Sequence, residues 1–302
     1  MKIFVTGGTG FVGSQMVEDF RKSGYQISVL SRRDESGTNK KNLRYIHGDP
    51  NFPGDWQSIA SGHDGIINLA GASIFQRWNK KIKEKISQSR VRSTRNVVDA
   101  LKKKESSQTF LINASAVGYY GFRGDEMLDE ESGPGDDFMA RVTQAWEKEA
   151  KRAAEYGVRT ICLRFGIVFG QGAGALPQYD MLARYFFGAR LGKGEQWISW
   201  IHMDDLLRIF HFMLENIHLQ GTWNAVAPHP VKNKILMRTF AEVLKKPAWS
   251  PVIPGAFIKI GLGEFGEAVL HGQRVVPSKL NNSEFIFNYP DIRTALKDLY
   301  NK

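Results

Sequence analysis

Three glycines, Gly7, Gly10 and Gly13, stand in the run TGGTGFVG, between the β-branched stretch KIFVT and a segment of helical spacing over 11–22. Few short patterns restrict a fold as tightly. A strand must end, turn within a few residues and restart as a helix. Only glycine lets the main chain turn so sharply, meet a ligand closely and bring helix against strand. The free N–H groups and partial positive charge of the helix start then favour a phosphorylated ligand. With the strand before and the helix after, Gly7, Thr9, Gly10, Phe11, Val12 and Gly13 are expected to bind a dinucleotide. The competing reading is a glycine turn made for packing.

The pattern continues through residue 165. KIFVTG, YQISVLSR, LRYIHGD, GIINLAG, TFLINAS and VRTICLRFG read as strands, with helices over 11–22, within 78–104 and over 138–156. Alternation of this kind implies right-handed crossovers and a parallel sheet covered on both faces. The expected fold class is α/β, a Rossmann-type doubly wound parallel sheet. Residues 1–165 form the dinucleotide-binding domain, with a returning strand near 221–226 in GTWNAV. Residues 166–302, rich in Gly loops and helical patterns over 233–244 and 290–299, form a smaller, mostly helical substrate region.

The end of the second strand selects the dinucleotide. An NAD site puts a carboxylate there for the ribose 2′-hydroxyl, whereas VLSRR supplies Ser31, Arg32 and Arg33. Guanidinium groups suit a 2′-phosphate, so NADP(H) is expected. Asp34 and Glu35 follow, and the natural register turns them away. Asp49 ends the third strand, placed to meet adenine. Leu69, Ala70 and Gly71 follow the fourth, where small residues let the main chain pass under the cofactor. Arg164, Gly166 and Val168 follow the sixth, where the nicotinamide carboxamide can be bound.

Charge is uneven: residues 78–104 hold ten Lys or Arg against Glu84 and Asp99, much of the net +10. Helical spacing with an interrupted stripe of Trp78, Ile82, Ile86, Val97 and Leu101 makes this a solvated helix face. Nucleic acid is not an expected partner, because no interleaved aromatics accompany Lys80, Lys81, Lys83 and Lys85. The lone Cys162, in TICLRF, permits no internal disulfide and fits a reducing compartment. No leader pattern and no apolar run of spanning length are present, so a cytoplasmic protein without a membrane partner is expected. GDEMLDEESGPGDD reads as a solvated acidic loop at the site mouth, and no cluster has metal-ligand spacing.

Taken in order, TGGTGFVG, NLAG, the Ser115 segment, LRFGIVFG and WIHMDDL resemble the extended short-chain dehydrogenase/reductases, the NAD(P)-dependent epimerase/dehydratase family. NLAGASIFQRWNKKIKEKISQSRVRSTR, the doubled tyrosine, WEKEA and the tail over 250–298 are similar to an atypical subgroup, the epimerase-family proteins, which carries a C-terminal domain of unknown function. The resemblance implies a Ser or Thr after the fifth strand and a Tyr-x-x-x-Lys pair on the next helix. Ser115 matches the first. Phe138 and Val142 stand where the pair belongs, and Ile198 to His202 replace an Arg-Asp-Phe-Ile-His segment, which counts against a nucleotide-sugar substrate.

The catalytic candidates are therefore Ser115, to orient a substrate oxygen, and Tyr119 or Tyr120, to donate a proton. Each has a plainer reading: a strand-end hydroxyl and two pocket-lining rings. Trp146 and Glu147 either support the site from the helix behind it or, the favoured reading, are a core tryptophan beside a surface acid, and His202 reads as a structurally bonded histidine. Arg190, Trp197 and Trp200 are candidates for the far wall. Two functions remain open: an NADP(H)-dependent oxidoreductase or epimerase-like enzyme for a small carbonyl or hydroxyl compound, and a non-catalytic NADPH-binding regulatory protein. Binding of nucleic acid or an acidic partner through the basic helix is a third. The oligomeric state is not read from the sequence.

Overall fold

Seven strands form one sheet in the order Gly221–Ala225, Arg159–Phe165, Phe110–Ala116, Gly65–Asn68, Lys2–Thr6, Gln26–Ser31, Leu43–His47, and every pairing is parallel. The computed structural model describes residues 1–38, 40–102, 109–186 and 188–300. Lys103 and Lys104 of the basic run lie outside the described residues.

Successive side chains of each strand point to opposite faces. Ile3, Val5, Val29, Ile67, Ile112 and Leu163 face one layer, where they meet Met16, Val17 and Phe20 of helix Phe11–Lys22 and Ile209, Phe210 and Met213 of helix Met203–Glu215. Phe4, Ile66, Leu111 and Cys162 face the other, against Val97 and Leu101 of helix Lys80–Leu101 and Ala150 of helix Phe138–Lys151. With both faces covered, the strands read as nearly continuous apolar runs. The doubly wound fold is as expected, and GTWNAV returns as the edge strand beside Arg159–Phe165.

Beyond Phe165 the chain differs from a simple run of helices. Ile167–Phe169 pairs with Trp200–His202, and Arg190–Leu191 with Val252–Ile253, as short parallel strands inside what read as Gly-rich loops. Strands of two or three residues carry no usable periodicity, which is why the sequence hides them. A second core gathers Phe169, Tyr179, Trp200, Leu236, Phe240 and Leu296. Buried Asp205 anchors the tail by accepting the N–H groups of Asn288 and Tyr289 at 2.8 and 2.9 Å.

Candidate functional site

The glycine loop lies at the carboxyl end of the first strand, near the middle of the sheet. Gly7 has φ +72°, and a Cβ there would stand 2.6 Å from the carbonyl of Leu69 and 2.8 Å from the nitrogen of Ala70. A Cβ on Gly13 would meet the Gly7 oxygen at 2.2 Å. Absent side chains therefore bring the helix start, the loop and the Leu69–Ala70–Gly71 turn together. Helix Phe11–Lys22 begins with Gly10 as N-cap, no side chain caps it, and no acidic residue occupies its first turn. Its first N–H groups are thus left for an anion, and the cradle fits a pyrophosphate. Phe11 packs where side chains on Gly170 and Gly174 would collide with it, and Val12 packs on the first core.

Arg32 and Arg33 are exposed at the end of the second strand, without a carboxylate partner among the described residues. One expectation is corrected here. The one-turn helix Ser36–Thr38 folds Glu35 back, so that its carboxylate accepts from the Ser31 hydroxyl at 3.4 Å rather than turning away. The same hydroxyl accepts the Arg33 N–H at 3.1 Å. Asp49 closes a local turn, its Oδ1 accepting from the Asn51 main-chain and side-chain nitrogens.

Ser115 is buried and donates to Glu147 Oε1 at 2.7 Å. Arg164, from the neighbouring strand, clasps the same carboxylate with both arms, Nε to Oε1 at 2.7 Å and Nη2 to Oε2 at 2.9 Å. Its remaining Nη1 donates to the Tyr120 hydroxyl at 2.9 Å, and that hydroxyl donates to Asn224 Oδ1 at 2.7 Å. Burial opposes the Arg164 charge, but the bonds to Glu147 outweigh it and its pKa is raised. Burial pushes the Tyr120 phenol up to about 12. Glu147 is therefore a buried pivot and not a surface acid, which corrects the sequence reading. Arg164 has its guanidinium engaged within the protein, and Gly166 and Val168 follow it just beyond the strand end, Gly166 against Ser199 and Val168 on the first core. Tyr119 differs from its neighbours. Its ring lies 3.4 Å from Arg164 Cζ, and its hydroxyl makes no hydrogen bond among the described residues.

Phe138 and Val142 occupy an apolar cluster with Trp78, Ile86 and, from the tail, Leu262 and Phe265. The place of the family's proton donor and its tuning lysine is filled by hydrocarbon. Trp200 is fully buried in the second core and cannot line a cleft, which corrects its assignment to the far wall. Trp197 is partly exposed and donates to Asp125 at 2.6 Å, and Arg190 sits half-buried in its short strand. His202 caps helix Met203–Glu215 by accepting the Asp204 N–H, as expected of a structural histidine.

Sequence reasoning missed Arg90. It lies on the inward stripe, four residues after Ile86, and its guanidinium would abut a Cβ on Gly71 at 3.3 Å. It donates to the carbonyls of Ala72 and Ile86, stacks 5.2 Å from the Trp146 ring, and has no carboxylate partner among the described residues. Burial lowers its pKa to about 10. The break in the helix's apolar stripe was the available signal.

The acidic loop is structural in several places: Asp137 caps helix Phe138–Lys151, and Glu130 accepts the edge-strand N–H of Asn224 at 2.9 Å. Part of the basic surplus is answered by Lys83–Glu264 and Arg95–Glu149 pairs. A cavity of about 670 Å³ flanks the edge strand and one of about 370 Å³ lies beside Tyr119, Lys148 and Lys151. Neither includes a residue of the glycine loop or of the second and fourth strand ends. No group of metal-ligating side chains occurs among the described residues, and no helix there is long and apolar enough to cross a membrane.

Comparison with known proteins adds independent findings. The model of the NAD dependent epimerase/dehydratase family matches residues 3–225, and that of a domain of unknown function, DUF1731, matches residues 253–299. Epimerase family protein YfhF of Bacillus subtilis is 37% identical over 300 residues, covering 99% of this chain and 98% of its own. The crystal structure of human epimerase family protein SDR39U1 (isoform 2) with NADPH superposes with a TM-score of 0.85 at 26% identity, over 100% of this chain and 99% of that one. A nucleoside-diphosphate sugar epimerase from Corynebacterium glutamicum is 32% identical with a TM-score of 0.79, over 99% of this chain and 58% of its own.

Proposed function

The chain belongs to the NAD dependent epimerase/dehydratase family, and on that premise we propose that it is an NADP(H)-dependent oxidoreductase or epimerase-like enzyme for a small carbonyl or hydroxyl compound. The uncapped helix start behind a side-chain-free turn carries the reading. Arg32 and Arg33, exposed beside it, favour the phosphorylated coenzyme, in keeping with the NADPH in the human relative's structure.

The N–H groups of Phe11, Val12 and Gly13 would hold the pyrophosphate, with Thr9 beside them in the loop. Ser31, Arg32 and Arg33 would hold the 2′-phosphate, and Asp49 would hold the adenine. Leu69, Ala70 and Gly71 would pass beneath the coenzyme, and Arg90 would add a cation that has no carboxylate partner among the described residues. NADP(H), when bound, supplies or accepts a hydride. Tyr119 donates the accompanying proton, being the member of its segment with an uncommitted hydroxyl. Ser115 and Tyr120 hold the Glu147–Arg164 pair against its ring. Tyrosine, with an ordinary pKa near 10, donates at neutral pH more readily than it accepts, so carbonyl reduction is the favoured direction.

The test follows NADPH consumption with a panel of aldehydes and ketones, for the native protein and a Tyr119→Phe variant, which leaves the Ser115 and Tyr120 hydrogen bonds in place. A loss of about 100-fold or more in the variant supports the assignment; unchanged turnover removes it. The burial of Phe138 and Val142 in hydrocarbon favours a second reading, a regulatory protein whose partner affinity follows its coenzyme state. Intact NADPH binding without turnover on any compound would favour that reading.

A further inference from the structure

Residues 245–261, KKPAWSPVIPGAFIKIG, join the second core to the tail. They expose Trp249 at 78%, Val252 at 48%, Phe257 at 67% and Ile260 at 69%. Single exposed apolar residues are ordinary, but four large ones within twelve residues are not. In helix Gly255–Leu262 only Ile258 is buried, and Leu262 packs into the cluster around Phe138 and Val142. The helix therefore has two apolar sides, one covering the candidate site and one facing outward. Exposed Tyr185 and Phe186 precede in sequence the strand that is stitched to this segment by the Arg190 N–H to the Pro251 carbonyl at 2.9 Å.

The charge is one-sided. No carboxylate occurs between Glu242 and Glu264. Lys259 pairs with Glu267, but Lys245, Lys246 and Lys193 are exposed and have no carboxylate partner among the described residues. Lys193 neighbours Gly192, whose N–H is held by the Ile253 carbonyl at 2.9 Å. Aromatic and branched side chains flanked by unpaired lysines match a bilayer interface, where rings enter the headgroup boundary and cations meet anionic lipid.

We propose that this surface docks the protein peripherally on an anionic lipid membrane, with Trp249, Phe257 and Ile260 inserted and Lys193, Lys245 and Lys246 at the headgroups. The sequence reading expects no membrane partner because no segment can span a bilayer, and a peripheral contact needs no such segment. The inference is independent of which function the glycine site performs.

The experiment is co-sedimentation of the full chain with vesicles of phosphatidylcholine alone or mixed with phosphatidylglycerol. Retention at least about tenfold higher on the anionic vesicles, falling with salt, is expected. Trp249→Ser/Phe257→Ser/Ile260→Ser and Lys193→Gln/Lys245→Gln/Lys246→Gln should each lower it about tenfold or more, with melting temperature and NADPH affinity unchanged. Equal retention on both vesicles, or variants that bind like the native protein, would overturn the proposal. So would a concentration-dependent dimer in light scattering that the apolar triple abolishes, which would assign the surface to a second copy.

Discussion

A carboxylate shared by a serine and an arginine inside a protein is costly to disturb, because removing one partner leaves the other charge buried and unanswered. Glu147 is in that position, with Ser115 and both arms of Arg164 upon it. Glu147→Ala should destabilise the fold by about 3–5 kcal/mol, and pairing it with Arg164→Met should recover most of that loss. Denaturant unfolding reads both, and a cost under about 1 kcal/mol for the single variant would contradict the pivot. The candidate site was legible here in an uneven way. Ser115 could be found by its place at a strand end. Glu147 was legible only as one of two readings, a support behind the site or a surface acid, since nothing in WEKEA says which acid faces a buried arginine two elements away. Arg90 announced itself only as a gap in an apolar stripe.

Buried acids also lower stability at alkaline pH, Cys162 and Tyr120 among them. Burial pushes the Cys162 thiol up from 9.0 to about 12 and the Tyr120 phenol from 10.0 to about 12. Between the ordinary and the raised value the unfolded chain releases a proton that the folded chain keeps, so stability falls as pH rises. The slope is about 1.4 kcal/mol per pH unit for each group, beginning near pH 9 for Cys162 and near pH 10 for Tyr120. Unfolding curves across this range should show the decline, and Cys162→Ala should delay its onset. Stability that stays level from pH 9 to 11 would exclude the effect.

Among the elements, strands with a continuous apolar run and helices with a clear stripe were readable in the sequence, since both faces of the sheet are covered. Helix Phe11–Lys22 has the predicted bounds. The strands of two or three residues after Phe165 were hidden, as was the return of Glu35, because a single turn of chain after the second strand decides it. Helix Phe138–Lys151 shows how an element can be right while its chemistry has changed: it lies where a Tyr-x-x-x-Lys helix belongs but turns Phe138 and Val142 into an apolar cluster closed by Phe265. Restoring the pair with Phe138→Tyr/Val142→Lys should therefore not restore that chemistry. Burying the lysine should cost about 3–5 kcal/mol at neutral pH, read as a lower denaturation midpoint. A double variant as stable as the native chain, with turnover gained, would mean that this cluster is a cleft.

At the scale of the molecule, the parallel sheet brings the glycine loop and the ends of its second and fourth strands to one edge, where an open α/β sheet binds ligands. The tail closes over the neighbouring helix starts, and its Glu264 answers Lys83 in the basic excess that the sequence concentrates in residues 78–104. The account depends on that edge accepting a nicotinamide coenzyme that carries a 2′-phosphate. Isothermal calorimetry on ligand-free protein tests it most directly, titrating NADPH and NADH into the native chain and an Arg32→Ala/Arg33→Ala variant. NADPH should bind at least about tenfold more tightly than NADH, and the variant should lose that preference while still binding NADH. No heat with either coenzyme, or a native preference for NADH, would contradict it.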